Sequence, residues 1–158
     1  MKHPKPSPPL DTPAGTVALS MPLGWFSIAL HVSAEDLRPE DISSIFGVSP
    51  TKSQTKGVPL LRSDGTLKRV PKFGRWSIDL KPSETDEWDI GALVTELLAP
   101  LPKELATWRK VAAIASLRIS LGLDFSSKNQ EFEFDPELLR FLGEREIFVY
   151  FDIYSDAD

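Results

Sequence analysis

Ala113-Ile114-Ala115-Ser116-Leu117-Arg118-Ile119-Ser120-Leu121-Gly122-Leu123 decides the fold class. Ala113, Ala115, Leu117, Ile119, Leu121 and Leu123 alternate with Ile114, Ser116, Arg118, Ser120 and Gly122. Successive strand residues point to opposite faces of a sheet, so this period predicts a strand with one buried face and one open face. Two more stretches repeat the pattern. In residues 25–32, Phe26, Ile28, Leu30 and Val32 face one way, and Ser27, Ala29 and His31 the other. In residues 75–80, Trp76, Ile78 and Leu80 oppose Arg75, Ser77 and Asp79. Residues 147–154 are rich in β-branched and aromatic side chains, which suit a pleated surface. They and residues 113–123 are expected as the central strands.

Helices are expected between these strands. Pro39 suits a first helical turn, Glu40 and Asp41 favour its positive end, and Gly47 suits its stop. Ile42, Ile45 and Phe46 give that helix its apolar side. Ile90, Leu93, Val94, Leu97 and Leu98 form the clearest helical stripe, ended by Pro100 and Pro102. Pro102 is expected to start a second short helix that turns Leu105 and Trp108 inward. Asp135 is a good N-cap for a helix that buries Leu138, Leu139, Phe141 and Leu142 and ends at Gly143. Leu60-Leu61 and Leu67-Lys68-Arg69-Val70 flank Ser63-Asp64-Gly65-Thr66, a hairpin signal whose arms Pro59 and Pro71 restrict to an edge. Phe132 and Phe134 suggest a further short strand.

This order predicts an α+β fold, a mostly antiparallel sheet with helices on one face. Pro39-Glu40 through Gly47 echoes Pro136-Glu137 through Gly143, which suggests two ferredoxin-like βαβ halves. Chance similarity of two short capped helices accounts for the echo equally well.

The chain has 158 residues, 41% of them hydrophobic and 26% charged, with a net charge of -5. That is a one-domain length, and we expect residues 1–14 to form a Pro-rich disordered tail and residues 15–158 a single domain. With no cysteine, disulfides, thiolate nucleophiles and Cys-based zinc sites are excluded. His3 and His31 are too few for a multi-histidine metal site. No apolar run is long enough to span a bilayer, and the start lacks the apolar core of a signal peptide. A cytoplasmic protein with no membrane association is therefore expected. The acidic balance argues against nucleic acid as the partner of the whole surface.

Three constellations are candidates for function. Lys52, Lys56, Arg62, Lys68, Arg69, Lys72 and Arg75 against Asp64 give residues 52–75 a local +6 and leave -11 on the remainder. A basic loop next to Thr51 could hold an anionic partner, although a charged hairpin that blunts a sheet edge explains it as well. If Ile28, Ile78, Leu117 and Ile153 face the helices, the opposite sheet face collects His31, Arg75, Asp79, Arg118, Asp152 and Tyr154. That face could bind a polar ligand or peptide. As a solvated surface its ion pairs would each contribute about 0–1 kcal/mol. Asp64 with Asp79-Leu80-Lys81 loosely fits the two-carboxylate-and-lysine arrangement of metal-dependent nucleases. Asp64 beside Gly65 is equally a turn residue. No phosphate-binding glycine loop and no nucleophile elbow is present.

Several short motifs, in this order, resemble a bacterial family known as domain of unknown function 4279. They are Asp36-Leu37-Arg38-Pro39-Glu40-Asp41-Ile42, Phe46-Gly47-Val48-Ser49-Pro50-Thr51, Lys56-Gly57, Gly74-Arg75-Trp76-Ser77 and Phe151-Asp152-Ile153-Tyr154. The resemblance spans residues 24–154. It implies a small soluble bacterial protein, carries no catalytic residues, and associates some members with immunity against toxins. We therefore expect a non-enzymatic cytoplasmic binding protein with a protein partner, an immunity protein neutralising a toxin in its sharpest form. The candidate partner-binding residues are His31, Thr51, Lys52, Lys56, Arg75, Asp79, Arg118, Asp152 and Tyr154. A small-ligand or peptide-binding sensor and a weak metal-dependent nuclease are the alternatives. No cofactor or metal is expected, and the oligomeric state is not set by the sequence.

Overall fold

The computed structural model describes residues 23–81, 89–125 and 134–155. The expected tail, the turn near Ser126, Phe132 and Trp88 lie outside the described residues, as does the side chain of Trp25. The strands are β1 (Leu23–Ala34), β2 (Lys52–Gln54), β3 (Leu60–Leu61), β4 (Leu67–Arg69), β5 (Gly74–Leu80), β6 (Ser116–Phe125) and β7 (Ile147–Ser155). The helices are α1 (Pro39–Phe46), α2 (Ile90–Leu98), α3 (Leu105–Ala112) and α4 (Pro136–Glu144). Five strands form one sheet in the order β2-β5-β1-β6-β7, and β3 pairs with β4 in a separate hairpin. Every pairing is antiparallel except β6 with β7. The expected α+β class holds.

The alternating positions build the core. Leu30 pairs with Ile78 on one side and Ile119 on the other, and Ile119 pairs with Val149. Leu30, Ile119, Leu121 and Leu123 are fully buried. Each such side chain contributes roughly 1.5–3 kcal/mol of burial free energy. Phe46 from α1 packs between Trp76 of β5 and Trp108 of α3, with ring centroids 5.5 Å and 5.0 Å away. Both indoles are buried and both N–H groups are satisfied. Trp76 Nε1 donates to Ser43 Oγ at 3.1 Å, and Trp108 Nε1 donates to the Pro102 carbonyl at 2.7 Å.

Helix ends follow local chemistry with two exceptions. Arg38 is extended, as a residue before proline must be, and Pro39 opens α1. Gly47 closes α1 at φ 70°, its N–H donating to the Ser43 carbonyl. Asp135 caps α4 through the N–H groups of Glu137 and Leu138. Gly143 does not end α4 but lies inside it, and the chain turns at Glu146 with φ 55°. Pro102 does not start α3, which begins at Leu105 after Glu104. Its carbonyl instead holds the Trp108 indole.

Three other expectations are corrected. Residues 113–115 are a turn that closes α3 rather than strand, because the Ile114 and Ala115 N–H groups donate to Val111. Strand β7 is an edge strand, not a central one. It is joined to β6 through α4 as a parallel crossover, which places it outside β6. Leu139, Phe141 and Ile153 are exposed, at 53%, 37% and 51%, so only Leu138 and Leu142 bury the side of α4. The internal echo takes two different forms. β6-α4-β7 is a direct βαβ unit. In β1-α1-β2 the two strands run the same way, but β5 is inserted between them.

Candidate functional site

One face of the five-stranded sheet carries the core side chains just described. The positions between them point to the other face. Cross-strand register places Lys52, Ser77, His31, Arg118 and Phe148 in one row, each on a neighbouring strand. The next row holds Asp79, Ala29, Ser120 and Tyr150. Beyond it lie Ser27, Gly122 and Asp152, and on the opposite side of the first row lie Gln54, Arg75, Ser33 and Ser116. Outside the first row β1 and β6 present small residues, flanked by Arg75 and Asp79 of β5 and Tyr150 and Asp152 of β7, whereas in the first row they present His31 and Arg118. This makes a trough with a floor of Ser27, Ala29, Ser120 and Gly122.

One wall of the trough is charged. Lys52 of β2 pairs with the Asp79 carboxylate of β5. Thr51 anchors this corner, its Oγ1 donating to the Ser77 carbonyl at 3.2 Å and accepting the Asp79 N–H at 2.9 Å. Ser77 Oγ meets His31 Nδ1 at 2.8 Å. Burial, followed by the positive charge of Arg75, pushes the His31 pKa below its usual 6.5. The imidazole is therefore neutral near pH 7. Arg75 is half-buried with its guanidinium 5.1 Å from the Phe73 ring, and burial holds its pKa below the usual arginine range.

The other wall is aromatic. Phe148 is 65% exposed and Tyr150 48% exposed, and the Arg118 guanidinium lies 5.4 Å from the centre of the Tyr150 ring. Farther along β7 the Tyr154 hydroxyl donates to Asp152 at 2.7 Å. The carboxylate beside it raises the Tyr154 pKa.

Of the residues expected at the site, the sheet brings His31, Lys52, Asp79 and Arg118 together, with Thr51 and Arg75 beside them. Asp152 and Tyr154 share the face at its far end. Lys56 does not join them. It clamps the β1–α1 loop, with Nζ 2.6 Å from Glu35 and 2.8 Å from Asp36, and these partners raise its pKa. Phe148 and Tyr150 were missed as site residues. Their signal was the alternation within residues 147–154, obscured because the run 147–151 is apolar and aromatic throughout and so reads as buried on both faces.

The basic hairpin meets this face only at its edge, where the Arg69 guanidinium of β4 donates to Gln54 Oε1 of β2. Strand β4 is exposed throughout, and Leu61 and Leu67 are 62% and 55% exposed. Asp64 is occupied by its own turn, accepting the Thr66 N–H at 2.9 Å and the Thr66 hydroxyl at 2.6 Å, bonds that lower its pKa. Among the described residues no group of three or more His, Asp or Glu side chains is placed to hold a metal ion. No helix among them is long and apolar enough to cross a membrane.

What the face offers is recognition chemistry: a cation stacked on an exposed ring, a neutral imidazole, and hydroxyl groups on a floor of small residues. Residues 25–156 match the model of a family described as Domain of unknown function (DUF4279). No curated protein and no solved structure matches the chain.

Proposed function

This chain belongs to the DUF4279 family, and we propose that it is a non-enzymatic binding protein that receives a protein partner on the open face of its sheet. The observation that carries this reading is the Phe148–Tyr150–Arg118 cluster, large exposed aromatics with a stacked arginine on a sheet face that no described helix covers. Aromatic residues and arginine are the types that dominate binding energy at protein interfaces. The charged wall of Lys52 and Asp79 would orient the partner. In the sharpest form of the proposal the partner is a toxin and the protein neutralises it in the cytoplasm. The family resemblance supports that form, and the acidic net charge suits a basic toxin. A peptide-binding sensor is the second reading, favoured by the floor of small residues, which leaves room for an extended backbone.

A photo-crosslinking amino acid placed at Tyr150, and separately at exposed Leu139 on the helix layer, tests the proposal in the native host. The expected result is a protein crosslinked from position 150, absent from position 139, and lost when Phe148 is changed to Ser. Identical products from both positions would overturn it. Relief of growth inhibition when the captured partner is co-expressed with the wild type, and not with Phe148→Ser, would distinguish the immunity form from the sensor form.

A further inference from the structure

On the opposite side of the sheet, α2 packs over β1 and β5 while α4 packs over β7. The two helices stand apart, and a cleft of about 610 Å³ lies between them, floored by Trp108 and Leu101. Ligand sites commonly span about 300–1,000 Å³ with mostly apolar walls and a few polar groups. Here the apolar walls are Val94 and Leu98 of α2 and Leu138 and Phe141 of α4.

Arg145 and Lys103 line this cleft where α4 ends, while the acidic Asp135 and Glu137 line it where α4 begins. Arg145 is only 8% exposed. Its Nη1 and Nη2 donate to the Phe141 and Lys103 carbonyls, both at 3.1 Å, and its guanidinium stacks 3.6 Å from the centre of the Phe141 ring. Its Nε is buried with no hydrogen-bond partner. Among the described residues, no carboxylate pairs with Arg145 or Lys103. Guanidinium carries five donors, and buried charges are normally paired. Two carbonyls and a ring satisfy part of this group, and the one described carboxylate that acts on its charge, Glu144, makes no direct ion pair with it.

We propose that the α2–α4 cleft binds a medium-chain carboxylate, its hydrocarbon chain against Leu98, Leu138 and Phe141 and its head group at Arg145 and Lys103. The carboxylate supplies the direct ion-pair partner that Arg145 lacks, at the end of the cleft away from Asp135 and Glu137, and the chain covers the partly exposed Phe141. The site is independent of the sheet face on which the protein partner is proposed, so either assignment can fail without the other.

Calorimetric titration of the full chain with decanoate, decanol and decylamine, below their micelle-forming concentrations, tests the site. Decanoate is expected to bind at least about tenfold more tightly than the other two, the margin of a charge-assisted hydrogen bond. Arg145→Gln is expected to erase that margin. Because Arg145 also tethers α4, Thr95→Trp provides a second variant. Thr95 is an exposed residue that lines the cleft, and the indole would fill it and abolish binding while leaving the core intact. Absence of decanoate binding, equal affinity for decanol or decylamine, or full affinity in Thr95→Trp would each overturn the proposal.

Discussion

Gly74 opens β5 at a point where the backbone of the β1–α1 loop comes unusually close. A methyl group there would meet the Leu37 carbonyl oxygen at 1.9 Å, its carbon at 2.7 Å and Leu37 Cβ at 2.9 Å. The obstacle is mainly main chain, so no rotamer change relieves it. The loop is also tied down: the Gly74 N–H donates to the Glu35 carbonyl at 3.2 Å, Leu37 is buried, and Lys56 grips Glu35 and Asp36. Gly74→Ala must push Leu37 out by more than an ångström and disturb that hydrogen bond. Overpacking costs about 1–3 kcal/mol, and a backbone obstacle places this case near the upper end. At about 2–4 °C per kcal/mol for a chain of this size, the melting temperature should fall by roughly 6–12 °C. Urea unfolding followed by tryptophan fluorescence measures the loss. The control is Gly47, which has φ 70° and nothing within 4 Å of an added methyl. There the penalty is conformational, and asparagine, which tolerates the left-handed region, should recover most of the loss from Gly47→Ala. At Gly74 asparagine should be as harmful as alanine or worse. A Gly74→Ala protein within about 0.5 kcal/mol of the wild type, inside the range of neutral surface changes, would refute the reasoning.

Leu117→Ala should cost about 2–5 kcal/mol in denaturant unfolding, because Leu117 is 1% exposed, and Phe151→Ala should cost less because Phe151 is only half-buried. His31 has a folded pKa below its unfolded 6.5, so the unfolded chain binds the proton first. Stability should therefore be complete above about pH 6.5 and decline as the pH falls below it, and unfolding midpoints at pH 7.5 and 5.5 should differ less in His31→Gln than in the wild type. Replacing exposed Lys68 and Arg62 of the hairpin with Ser should leave the melting temperature nearly unchanged, whereas Lys56→Ser, which releases Glu35 and Asp36, should lower it measurably. Differential scanning calorimetry of both variants separates a solvated hairpin from a structural one.

Much of the local structure was legible because its causes are local. The period of residues 25–32, 75–80 and 116–123 assigns each residue to a face whatever its neighbours are, and the capping of α1 needs only Pro39 and Gly47. The same period placed His31, Asp79 and Arg118 on the outward face, and setting Ile153 against the helices placed Asp152 there too. By itself, then, the sequence determined the α+β class, the apolar half of each long strand and the polar candidates opposite it.

Only the tertiary structure decided which strands lie side by side, because pairing depends on residues far apart in the chain. The crossover through α4 puts β7 at the edge, so Phe148 and Tyr150 become a surface instead of core. The insertion of β5 between β1 and β2 brings Lys52 to Asp79 and aligns it with His31 and Arg118, while it sends Lys56 to the β1–α1 loop. The α2–α4 cleft is the most remote from the sequence. Both helices bury apolar stripes against the same sheet, but the gap between them is set by which strands each covers, and no periodicity along either helix encodes that distance.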